Sequence, residues 1–143
     1  MNYANDMRVK FLNKSANEGF ARVAVAAFVS QLDVTVEQLA DIKTVVSEAV
    51  TNAIVHGYEG MSGYVTVECA IDGGSVHITV SDCGRGIVDV EQARAPLYTS
   101  KPDLERSGMG FTVMETFMDS VTVQSATGLG TTVKMTKKIY GDE

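Results

Sequence analysis

The run TVEQLADIKTVVSEAVTNAIVHG, residues 35–57, decides how the rest of the chain must be arranged. Ile42, Val45, Val46, Ala49, Ala53 and Ile54 recur at helical intervals, so the spacing predicts one long amphipathic helix with a single buried face. Thr35 and Gln38 suit an N-terminal capping box, and Gly57 follows the last apolar residues as a stop. Glu48, Asn52 and His56 are each four residues apart, which aligns them in a row along the edge of the apolar stripe. A carboxylate there can take a proton, and a carboxamide oxygen beside it can hold a hard cation. Most Glu and Asn on helices are only solvated, so the pair acquires meaning from what the chain sets opposite it.

Outward from that helix, Met7 to Asn13 alternates as a strand, and Ser15-Ala16-Asn17-Glu18 reads as a second capping box opening a helix to about Leu32. On the other side, Tyr64–Ile71 and Ser75–Asp82 form a hairpin about Asp72-Gly73-Gly74. Cys83 to Ser107 holds both prolines and reads as a long loop, with at most a short helix at Val90–Arg94. Gly110–Met118 is a third helix, and Val121–Ser125 with Thr131–Lys138 is a second hairpin around Thr127-Gly128-Leu129-Gly130. The order β-α-α-β-β-α-β-β excludes a doubly wound parallel sheet. It predicts an α/β (α+β) two-layer sandwich: a mixed, mostly antiparallel sheet with three helices on one face and a long lid.

Residues 1–143 fit one domain with a proper core. Hydrophobic residues at 45% and charged residues at 21% are the balance of a soluble globular protein. MNYANDMRVK lacks the apolar segment of a signal peptide and no run reaches membrane-spanning length, so a cytoplasmic product without membrane attachment is expected. Cys69 and Cys83 have no CxxC spacing, and with only His56 and His77 no zinc ligand set forms. A net charge of −6 argues against direct nucleic-acid binding and suits a basic protein surface instead.

Three glycine-flanked segments carry the remaining chemistry. Asp82-Cys83-Gly84-Arg85-Gly86 follows a strand: an Asp leaving a buried strand needs a donor, such as a purine amino group, and the glycines let backbone pass beneath a flat ring. Ser107-Gly108-Met109-Gly110-Phe111 opens a helix, whose free N–H groups suit phosphate. Gly128-Leu129-Gly130-Thr131-Thr132 sets a threonine hydroxyl at a strand start, where a plain hairpin turn is the default. Each alone is also ordinary turn chemistry.

Taken in order, E-x-x-x-N on a helix, D-x-G-x-G after a strand, a long loop, G-x-G opening a helix and then G-T-T resemble the nucleotide-binding fold of gyrase-type ATPases, Hsp90, histidine kinases and MutL. The resemblance implies an ATP site with Mg²⁺. On it, Glu48 is the general base, Asn52 the metal ligand, and Asp82 the adenine reader. Gly84 and Gly86 line the base, Gly108 and Gly110 bind phosphate, and Thr131 supports the Asp82 contact. Lys101 and Arg106 in the lid would neutralise phosphate charge, although lid charges are commonly just solvated. Length separates the relatives. Gyrase, Hsp90 and MutL need a further domain, and a histidine kinase needs an acceptor helix carrying a histidine, which the first helix lacks.

The small serine kinases that double as anti-sigma factors are stand-alone ATP domains, and the chain resembles that family, in its sporulation branch with sigma factors of the F type. FARVAVAAF (20–28), IKTVVSEAVTNAIVHGYE (42–59) and PLYTSKPDLERSGMGF (96–111) carry the closer likeness, which extends over almost the whole chain. It implies a homodimeric serine/threonine kinase that sequesters a sigma factor and phosphorylates a small anti-anti-sigma protein. Arg22 matches a partner-surface position, against the alternative of a solvated arginine. Cys83 is less polar than the residue expected there. Three other readings use the same residues: an anti-sigma kinase of the general stress response, an ATP-gated binding module without phosphotransfer, and an autophosphorylating histidine kinase domain. The T-S-K-P run and short C-terminus disfavour the first, Glu48 the second, and the missing acceptor helix the third.

Overall fold

Thr35 is extended (φ −78°, ψ 161°) and its hydroxyl accepts from the Gln38 backbone N–H, while the Gln38 side chain accepts from the Thr35 N–H. The capping box therefore forms as expected, and Gln38 Nε2 also donates to the Ile139 carbonyl at 3.1 Å, tying the start of the long helix to the end of the last strand. Thr35→Ala is expected to cost about 1 kcal/mol, read as a fall in Tm of about 3 °C by thermal denaturation.

In the computed structural model, residues 4–58, 61–84, 110–126 and 128–139 are described. The elements are β1 (Asn5–Leu12), α1 (Ala16–Val29), α2 (Val36–Asn52) running into a π-helical turn (Ala53–Gly57), β2 (Tyr64–Asp72), β3 (Ser75–Asp82), α3 (Gly110–Phe117), β4 (Ser120–Ala126) and β5 (Gly130–Lys138). The strands form one sheet in the order β1-β2-β3-β5-β4, with every neighbouring pair antiparallel. Strand alternation sends Val65, Val67 and Cys69 of β2, Val76, Ile78 and Val80 of β3, and Val133 and Met135 of β5 into one core. The three helices supply the other half of that core, through Ala21, Val25 and Val29 of α1, the apolar face of α2, and Phe111 and Met114 of α3. This is the two-layer α+β sandwich that the element order predicts.

The six apolar residues expected on the α2 face are all buried, and Val50 joins them. The face is wider than a single stripe because α2 lies between α1 and α3 as well as over the sheet. At the far end of α3, Lys137 Nζ donates to the Phe117 carbonyl at 2.7 Å and lies 3.8 Å from Asp41 of α2, joining β5, α3 and α2.

Three local expectations change. The helix of residues 35–57 is not α-helical throughout: α2 ends at Asn52 and the last turn, which carries His56, is π-helical. Ser15 makes no side-chain cap, because its backbone is already helical (φ −54°, ψ −36°). Glu18 is drawn elsewhere, accepting from Ser47 Oγ at 2.8 Å and Arg22 Nη1 at 3.1 Å. And α1 ends at Val29, where Ser30 Oγ donates back to the Ala26 carbonyl at 2.7 Å. The long lid, with the short helix expected at Val90–Arg94, lies outside the described residues. No helix among those described is long and apolar enough to cross a membrane.

Candidate functional site

The end of α2 and its π turn touch two separate groups of residues. Glu48 and Asn52 share the last turns of α2, both half-buried. Against them stands Gly110, the first residue of α3: a methyl group there would lie 3.0 Å from Asn52 Nδ2 and 3.3 Å from Glu48 Oε2. The sequence separates these residues by about sixty positions, and packing of α3 on α2 brings them together. The first described turn of an eight-residue helix therefore lies beside a carboxylate and a carboxamide. A side chain at position 110 would press on both, so glycine is what allows α3 to approach them this closely.

One turn further along, the π turn meets Asp82 at the end of β3. Among the described residues Asp82 is the one charged side chain that is buried, at 8% exposure. Burial raises its carboxyl above the ordinary aspartate range, and the backbone N–H groups of Gly84 and Thr131 pull it partly back. The Gly84 N–H donates to Asp82 Oδ1 at 2.9 Å. Gly57 stops the helix, but not by a left-handed backbone. Its lack of a side chain admits the carboxylate, since a methyl group would lie 3.0 Å from Asp82 Cγ. Gly84 in turn packs against the Gly57 carbonyl oxygen, where a methyl group would overlap it. Gly84 and Gly57 thus pack on each other beside Asp82, and the part of Gly57 was missed because a helix-terminal glycine reads only as a stop.

Thr131 is the register partner of Asp82 across β3 and β5. Its hydroxyl lies 2.9 Å from Ser125 Oγ, so its link to Asp82 runs through the backbone N–H. Gly130, at φ +102°, lies against the Asp82 carbonyl and Cys83 Cα, a conformation and a proximity that suit glycine alone. Arg22 lies apart from both groups on α1. It is held between Glu18 and Ser47, whose hydroxyl is 3.4 Å away, rather than waving in solvent. Gly86, Lys101, Arg106 and Gly108 lie outside the described residues.

Two contacts escaped the sequence reading. Tyr58 donates its hydroxyl to the Tyr64 carbonyl at 2.6 Å and accepts the Cys83 N–H at 2.9 Å. Ser47 links α2 to Glu18 of α1. A tyrosine just after the helix-ending glycine was the available signal for the first; nothing in spacing announced the second.

Residues 12–137 match the family model described as a histidine kinase-like ATPase domain. An anti-sigma F factor from Clostridium perfringens is 62% identical over 136 residues, 94% of this chain and 97% of its own. One from Clostridium kluyveri is 58% identical over 138 residues, 96% of each chain. A third, from a Thermoanaerobacter species, is 55% identical over the full length of both. The crystal structure of the RsbU and RsbW domains of a Mycobacterium tuberculosis protein shares the fold with a TM-score of 0.68 at 22% identity, covering 95% of this chain and 32% of that one. With a site geometry set by a helix edge, a buried aspartate and a glycine-started helix, and with relatives this similar over nearly every residue, the chain belongs to the anti-sigma F factor family, built on a histidine kinase-like ATPase domain.

Proposed function

We propose that this chain is a single-domain, ATP-dependent protein serine kinase that also binds and inhibits a sigma factor of the F type. Its substrate is a serine of a small anti-anti-sigma protein, and it works in the cytoplasm as a homodimer. The observation that carries the kinase reading is that Glu48 and Asn52 both lie against the glycine start of α3, within contact distance of a methyl group placed there. A module that only bound nucleotide would have no need of the carboxylate.

In this reading the purine amino group donates to Asp82, and the Gly57 and Gly84 backbones line the base. Amide N–H groups at the start of α3 hold phosphate oxygens. The donors beside Gly110, a carboxamide oxygen and a carboxylate, are of the kind a hard cation takes. Asn52 is the proposed Mg²⁺ ligand, and the ion supplies charge neutralisation on the phosphates. Glu48 accepts the proton of the incoming serine hydroxyl as that oxygen bonds to the γ-phosphorus and the bond to the ADP oxygen breaks. Positioning and charge compensation supply most of the acceleration. Gly86, Gly108, Lys101 and Arg106 are proposed as further base and phosphate contacts, and Thr131 as backbone support for Asp82.

Arg22 is proposed as a partner contact, pre-oriented by Glu18 and Ser47. Support for a homodimer comes from α1, where Phe20 and Val23 are 52% and 62% exposed, near β1, an edge strand of the sheet among the described residues. Phe20 stacks edge-on against the buried Phe11 of that strand, with ring centroids 6.1 Å apart, which holds this part of α1 to β1.

The test is to incubate the purified chain with Mg-ATP and the anti-anti-sigma protein of the same organism. Mass spectrometry is expected to find one phosphate on a serine of the partner, and sedimentation of the same preparation a mass of two chains. A partner left unmodified by a chain that binds ATP would replace the kinase by the ATP-gated binding module.

A further inference from the structure

Tyr58 stands where three segments converge: the end of the π turn that carries it, the start of β2 and the exit from β3. Its hydroxyl donates to the Tyr64 carbonyl at 2.6 Å and accepts the N–H of Cys83 at 2.9 Å. That N–H belongs to the peptide immediately following Asp82. The bond therefore holds the Asp82–Cys83 peptide, which lies between the Cα that bears the carboxylate and the following peptide, whose Gly84 N–H donates to that carboxylate. The ring is held as tightly as the hydroxyl, because a methyl group on Gly63 would overlap it. Burial raises the phenol above its ordinary range, with the nearby Asp82 charge adding to the effect, so the hydroxyl stays protonated and serves both bonds at once.

Resting on the reading of Asp82 as the purine contact, we infer that Tyr58 is a positioning residue for base selection: its hydroxyl, locked between the Tyr64 carbonyl and the Cys83 N–H, sets the direction in which Asp82 meets the 6-amino group of adenine. A carboxylate that accepts from an amino group discriminates against a 6-oxo purine, whose oxygen would face it as a second acceptor. Discrimination of that kind depends on direction, and Tyr58 supplies the direction without touching the base. A residue that merely stabilised the fold would affect all nucleotides alike.

Tyr58→Phe keeps the ring and removes the hydroxyl. Equilibrium binding of Mg-ATP and Mg-inosine triphosphate, which share ribose and phosphates, is compared between wild type and variant. The expected result is ATP affinity about tenfold weaker with inosine triphosphate affinity within about twofold, so that the preference for ATP shrinks. Gly63→Ala, which displaces the ring while leaving the hydroxyl in the chain, is expected to shrink it in the same way. Equal losses for both nucleotides in both variants, or no loss for either, would overturn the inference. A wild type that binds ATP and inosine triphosphate equally would instead overturn the assignment of Asp82, and this inference with it, before any variant is made.

Discussion

Glu48→Gln is expected to slow phosphotransfer to the anti-anti-sigma protein by about 10²–10⁴-fold while leaving ATP affinity within about twofold of wild type. The substitution keeps the size of the side chain and its hydrogen-bonding oxygen but removes the basic one. Glu48 faces the start of α3 alongside Asn52, with Oε2 3.3 Å from where a methyl on Gly110 would sit. A base whose role arises only as the serine proton leaves contributes to the transition state and little to the bound nucleotide. Single-turnover kinetics with saturating ATP, paired with a binding isotherm, separate the two quantities. A parallel loss of affinity and rate would show that Glu48 holds nucleotide rather than a proton.

Asp82→Asn is expected to weaken ATP binding by about 10–150-fold, the loss of a hydrogen bond to a charged acceptor worth about 1.5–3 kcal/mol. Inosine triphosphate, which has no 6-amino donor, should not lose affinity. The same variant tests the electrostatics of the empty fold. Burial raises the folded-state carboxyl of Asp82 above its unfolded value. For a group raised in this way, the folded state holds the proton more tightly, so its contribution to stability is fully present below the unfolded value and is lost as pH rises through the folded one. Asparagine does not titrate. The difference in Tm, variant minus wild type, should therefore shift in favour of the variant as pH rises from about 4 toward neutrality. A difference that is flat with pH, or that moves the other way, would show that the carboxylate is adequately compensated by the Gly84 and Thr131 amides. If Asp82 is the adenine contact proposed above, its stability cost at neutral pH is the exchange of stability for function common at binding sites.

Much of this architecture was legible in the chain because it follows from local rules. The α2 face was visible in the spacing of Ile42, Val45, Val46 and Ala49, and its start in Thr35 and Gln38, since periodicity and capping involve residues within a few positions of one another. The hairpin at Gly73, with φ +60°, follows from turn chemistry, and the succession of elements excluded a parallel sheet. The SANE run was read by the same rule and misled, because Glu18 found stronger partners in Ser47, 29 residues away, and Arg22. Local pattern proposes a partner; charge and packing choose it.

The chain's local pattern supplies the chemistry: an acid and an amide four apart on a helix, an aspartate after a strand, and glycines where close approach is needed. Which of these residues meet is settled by the folded packing. Gly110 stands against Glu48 and Asn52 because α3 packs on α2, and Gly57 against Asp82 because the helix ends in a π turn over the exit of β3. Tyr58 reaches Cys83, 25 residues on, because three segments close on one hydroxyl. Those approaches depend on the simultaneous burial of apolar faces far apart in the chain, a condition that no window of neighbouring residues contains.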